Sequence, residues 1–260
     1  MLLLCNPSQE GNFRLVVGSS SQMHINCHEI IEKYYLPLIS IDMTNHPNDL
    51  KKEFQVERIA FFSDAVFAIA ITLLIIEVKV PEVHDDGHSV AHKLGELIPK
   101  FIGFIVSFFV IGMYWVNHHR FFKHIIHYNQ KLIWGNMLLL FSIVLMPFSS
   151  AFYSEYWFSD SLISIGFYVF NITLTGIFNT RMWYIISNPA NKLSSGLEDR
   201  NLVRYLITRS MVPSFIFTLS FIVALFSRPV AYWCPVLIFV VLMFIRMYYK
   251  KHHPEIFAKL

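Results

Sequence analysis

Three stretches, residues 132–154, 161–180 and 210–227, contain no aspartate, glutamate, lysine or arginine. A helix needs about 20 apolar residues, at roughly 1.5 Å each, to cross hydrocarbon. Backbone polar groups in lipid must find partners inside the segment, so such stretches fold as helices. Three less clean stretches join them, and the expected spans are 56–80, 97–120, 131–153, 160–183, 204–227 and 230–249. Only 15% of the chain is charged and 55% is hydrophobic, against about 25% charged in soluble domains. The fold class is therefore an all-α integral membrane protein with six transmembrane helices.

Several function classes fall away at once. The net charge of +3 is small and no basic block forms a nucleic-acid arm, so nucleic acid is not an expected partner and the lipid bilayer is. Cys5, Cys27 and Cys234 are scattered and carry no zinc-type spacing. No H-E-x-x-H, G-x-S-x-G or carboxylate cluster occurs, so no enzyme is expected. No T-V-G-Y-G filter occurs either, and Arg200, Arg204 and Arg209 are too few for a voltage sensor.

Residues 1–50 stand apart as a poorly ordered lead, with GSSS and TNHPND reading as loop or tail and 28–41 as a brief amphipathic segment interrupted by Pro37. A translation start at Met43 and a mobile tail are equal alternatives there. The membrane domain is expected at 51–253 and a cytoplasmic tail at 254–260. Pro99, Pro147, Pro189, Pro229 and Pro235 fall near expected span ends, where a missing amide proton is tolerated; Pro213 lies inside the fifth span, where a kink is expected. Alternating the loops leaves Lys79, Lys93, Lys100 and Arg228 on one side and the other seventeen of 21 Lys+Arg opposite. The positive-inside rule then puts both termini in the cytoplasm of a multi-pass protein of the cell (inner) membrane.

The first span, RIAFFSDAVFAIAITLLIIEVKV from Arg58 to Val80, carries charge where a lipid-facing helix avoids it. Ala65, Ile69, Thr72 and Ile76 form one stripe, extended by Arg58 and Lys79. The stripe suits a narrow pore or a packing seam between helices, and spacing alone favours the seam. Arg58 and Asp64 lie ~120° apart on a helix, so each needs partners elsewhere. Ser63, Trp115, one of His118 and His119, and Asn136 are the candidates for a shared buried network. Adjacent His118 and His119 point ~100° apart and cannot both reach one ion, so no metal is expected. His84, His88 and His92 read as solvated loop residues.

The order Arg58, Phe62, Ser63, Asp64 (R-x-x-x-F-S-D) opens the first of six spans. Y-W-V-N-H-H-R at 114–120, Asn136 in W-G-N-M-L-L-L-F, and L-M-P-F at 145–148 follow. Together they resemble the transmembrane protein 175 family of endosomal and lysosomal potassium channels, most closely its bacterial branch. The resemblance implies one six-helix repeat per chain and a homotetramer around a central pore lined by the first helices. It implies a hydrophobic constriction at Ile69, with Thr72 and Ile76 further along the pore. Arg58, Phe62, Ser63, Asp64, Trp115, His118 or His119 and Asn136 would brace the pore helix. It turns the stripe toward pore lining and implies modest potassium selectivity over sodium, with potassium as permeant ion and no cofactor. The alternative is a proton-coupled secondary transporter using Asp64 and a His118/His119 relay.

Overall fold

A computed structural model describes residues 13–16, 22–25, 47–80, 92, 94, 95, 97–157 and 162–258. The chain divides into two compact units, residues 1–51 and 52–260. In the first, β1 (Phe13–Val16) and β2 (Gln22–Ile25) pair antiparallel, Phe13 opposite Ile25 and Val16 opposite Gln22. A two-stranded ribbon thus stands where the sequence suggested loop or tail. The amphipathic segment 28–41, Met43, His84 and His88 lie outside the described residues.

The second unit is helical, and its first helix begins five residues before it, at Pro47. Its elements are α1 (Pro47–Ile76), α2 (Ile98–His124), α3 (Gln130–Val144), α4 (Met146–Glu155), α5 (Leu162–Ser187), α6 (Arg200–Ala224), α7 (Arg228–Ala231) and α8 (Leu237–His252). They make six segments long and apolar enough to span a membrane: Phe54–Ile76, Ile98–His124, Gln130–Glu155, Leu162–Ser187, Arg200–Ala224 and Arg228–His252. Each end lies within four residues of its expected place.

Local chemistry sets these ends. Pro99 stands in the first turn of α2 and Lys123 and His124 in its last, which suits the missing amide partners at one end and the dipole at the other. Asn129 caps α3 by accepting from Leu132 N–H at 2.9 Å, and Asp199 caps α6 by accepting from Asn201 N–H at 2.9 Å. Two expectations, for Pro147 and for Lys79, need correction. Pro147 lies inside the third span, not at its end, and the helix is interrupted at Leu145 between α3 and α4. Pro229 and Pro235 stand near the start of the sixth span as expected, each in the first turn of a short helix, α7 and a 3-10 turn at Cys234–Val236. The first helix stops at Ile76, so Lys79 falls beyond the stripe rather than on it. By contrast, α6 continues through buried Pro213.

Lipid offers no hydrophobic drive between helices, so close contact and internal hydrogen bonds hold the bundle. At the α5–α6 crossing a Cβ added to Gly176 would overlap Ser214 Oγ, which sits 3.2 Å from Tyr114 Oη. Between α2 and α4, Ser107 and Ser150 hydroxyls lie 2.7 Å apart, and Ser150 donates to Gly103 O at 3.2 Å. Lys100 pairs with Glu155 at 2.6 Å at the same end. At the other end the loop after α2 pairs with the loop after α5: Ile126 N–H donates to Leu193 O at 2.8 Å and Ser195 N–H to His124 O at 3.0 Å. Residues 254–258, expected in a tail, form a 3-10 turn with Ile256 fully buried and Phe257 5.6 Å from Tyr205, ring centre to ring centre.

Candidate functional site: the free face of the first helix and its polar anchor

Val56, Ser63, Phe67, Ala70 and Leu74 are buried and recur at helical spacing, so one face of α1 packs on its own bundle. Ala65, Ile69, Thr72 and Ile76 each lie two residues beyond a member of that face, about 200° round the helix. All four are exposed, Ile69 at 58% and Ile76 at 65%. Among the described residues, no helix of the chain packs over the stripe. Only 22% of the first span's apolar window is buried, against 56% for the third. Thr72 Oγ donates to Ile69 O at 2.9 Å. The donated proton leaves the oxygen lone pairs available outward.

Behind the stripe, three elements meet through polar side chains. His118 Nε2 on α2 lies 2.9 Å from Asn136 Oδ1 on α3. Asn136 Nδ2 donates to Ser63 Oγ at 2.9 Å, and Ser63 donates on to Ile59 O at 2.8 Å. The amide oxygen only accepts, so the imidazole carries its proton on Nε2, and each donor in the series has an acceptor. His118, Asn136 and Ser63 are all buried. Phe67, Phe121 and Phe122 surround the imidazole with ring centres 5.2, 6.0 and 4.8 Å away. Phe67 is a site residue the sequence reading missed; its place one turn after Ser63 on the buried face is the signal that marks it.

The expected single network is divided. Asp64 accepts from Trp115 Nε1 at 2.9 Å in a separate, more exposed pair. Among the described residues, Arg58 is exposed and makes no hydrogen bond or ion pair, and Phe62 is 53% exposed and stays out of the anchor. His119 is exposed and faces Trp115 with ring centres 6.1 Å apart. The inward histidine is therefore His118. Neither histidine hydrogen-bonds Asp64. Among the described residues, no group of three His, Cys, Asp or Glu side chains is placed to hold a metal.

Fold and site together define a multi-pass helical membrane protein of one six-span repeat. Its first helix is anchored by a polar bridge on one face and left uncovered on the other. Residues 58–147, which contain every element of the anchor, match the family described as endosomal/lysosomal potassium channel TMEM175. A potassium channel of Streptomyces collinus is 35% identical over 131 residues, 49% of this chain and 63% of that protein. The endosomal/lysosomal proton channel TMEM175 of Bos taurus is 34% identical over 147 residues, 52% of this chain and 30% of that protein. The matches thus span less than two thirds of either relative's length. The crystal structure of a lysosomal potassium-selective channel TMEM175 homologue from Chamaesiphon minutus superposes with a TM-score of 0.61 at 26% identity. It covers 74% of this chain and 97% of that one. Over residues 58–147 the chain is thus similar to the TMEM175 channels, and it shares its fold with the Chamaesiphon homologue.

Proposed function

We propose that the chain is one subunit of a potassium-permeable cation channel. Four copies surround a pore lined by α1, in a cell (inner) membrane with both termini cytoplasmic. The observation that carries this reading is the uncovered stripe Ala65–Ile69–Thr72–Ile76, opposite the face that packs on the bundle. The names of the Streptomyces and Chamaesiphon relatives support potassium as the ion, and the bovine name makes proton flux a quantity to measure beside it. A ring of Ile69 side chains gives a constriction that passes ions only after partial loss of water. Potassium sheds water more readily than sodium, which gives modest selectivity, and the Thr72 lone pairs offer oxygen contacts one turn away. Ser63, Asn136 and His118 hold the register of α1, and Asp64 with Trp115 holds its exposed flank. The transporter reading needs a relay from Asp64 to a histidine; Asp64 instead bonds Trp115 and His118 bonds Asn136.

The test is flux in liposomes holding the purified protein, with potassium, sodium and proton gradients applied in turn and Ile69→Asn beside the wild type. A polar neck wets more easily, so Ile69→Asn is expected to raise the flux and narrow the gap between potassium and sodium. Equal flux and equal selectivity in both proteins would remove Ile69 from the pore. Silence in both, with folded oligomers demonstrated, would move the transporter reading ahead.

A further inference from the structure

The ends of α2 and α8 and the first half of α6 enclose a cavity of about 340 Å³ lined by Arg120, Lys123, His124, Arg209 and Arg246 with Tyr205. No carboxylate is among its lining residues. Arg209 donates to Tyr205 Oη at 2.9 Å, a neutral partner that leaves its charge unbalanced. Glu198, on the loop before α6, accepts from Gly196 N–H at 3.2 Å, and its charge acts on His124 at the cavity's edge. Like charges gathered at the margin of a bilayer repel one another and are costly to desolvate unless an anion joins them.

A second observation points the same way. Arg120 and Arg209 also line an adjoining crevice of about 500 Å³, whose remaining wall is largely apolar and includes Phe109, Val116 and Leu242. Asn117 and Asn179 open onto it. Asn179 is fully buried, yet neither end of its amide finds a partner among the described residues, and Asn117 Nδ2 lacks one as well. A buried amide left unpaired is unfavourable, because it has given up its water for nothing. Amide donors beside a pair of guanidiniums suit an oxyanion, and arginine forks match phosphate in particular. The apolar wall beyond suits an acyl chain.

We infer that this junction of α2, α6 and α8 binds an anionic phospholipid, its phosphate held by Arg120, Arg209 and Arg246 and its chain lying along the crevice. The crevice reaches α1 at Ile71 and α2 at Trp115, but none of Ala65, Ile69, Thr72 and Ile76 lines it, so lipid binding there does not depend on the channel reading. Basic pockets between transmembrane helices take such headgroups elsewhere.

The test is native mass spectrometry of the full chain titrated with phosphatidylglycerol and, separately, phosphatidylcholine. The comparison uses wild type, Arg246→Gln and Arg120→Gln/Arg209→Gln. Phosphatidylglycerol is expected to bind wild type preferentially. Each arginine removed should weaken it roughly fivefold, the contribution of one basic residue near an anionic surface. Arg246 is exposed, so Arg246→Gln keeps the fold and tests the site alone if the double variant does not fold. Equal binding by wild type and Arg246→Gln, or equal affinity for the two lipids, overturns the proposal. Displacement of the lipid by excess inorganic phosphate at matched ionic strength overturns the lipid assignment in favour of a soluble phosphate.

Discussion

Asn136 is the residue on which the anchor turns. Its amide is the only group of the three that both accepts and donates across helices, accepting from His118 Nε2–H and donating through Nδ2 to Ser63 Oγ. Asn136→Ala leaves a buried imidazole donor without a partner and Ser63 without its incoming hydrogen bond. A loss of about 1–3 kcal/mol is expected, the usual result of orphaning a buried polar group. Trp115→Phe removes a donor from a carboxylate that water still reaches, so a smaller loss is expected. Thermal unfolding in detergent, with both variants beside wild type, checks the order; a Trp115→Phe loss as large as that of Asn136→Ala would contradict it. Sequence reading found Ser63, Asn136 and Trp115 because polar side chains in an apolar span need partners. It could not choose between His118 and His119, which are adjacent and chemically identical. Only the rotation of α2 about its axis separates them.

At the scale of elements, close approach between helices does what hydrophobic burial does in water. Gly176 on α5 makes room for Ser214 on α6, and neither residue stands out from sequence, since glycine and serine recur throughout the spans. Gly176→Ala forces its Cβ onto Ser214 Oγ and should cost about 1–3 kcal/mol, the range for overpacking. Ser214→Gly in the same chain should recover part of that loss, as residues in contact couple by about 0.5–3 kcal/mol. The checking measurement is the set of four midpoints of thermal unfolding in a double-mutant cycle; additive effects would separate the two sites. Span positions were legible because hydropathy is a property of composition along the chain. The break at Leu145 was not, because Pro147 reads as a span end until the neighbouring helices show that the chain continues across.

For the whole molecule, sidedness and assembly are the open expectations. With the native cysteines replaced, Leu94→Cys should react with a membrane-impermeant maleimide added to intact cells. Lys192→Cys should react only after permeabilisation; both positions are exposed. The reverse pattern would invert the orientation drawn from the seventeen-to-four division of Lys and Arg. The uncovered face of α1 expects four copies around it, and the mass of the purified protein in mild detergent reports that number.

The sequence by itself determined the six spans, the expected sidedness and the polar residues that require partners. Each follows from transfer energies that depend on a residue and its near neighbours along the chain. Tertiary structure decided what depends on how helices turn toward one another. It set which face of α1 is covered, which histidine points inward, and that Asp64 and Ser63 take different partners. It also brought Arg120, Arg209 and Arg246, from three separate helices, to one cavity. A helix of ideal period offers every face equally until another surface packs against it, and that choice is made between segments, not within one.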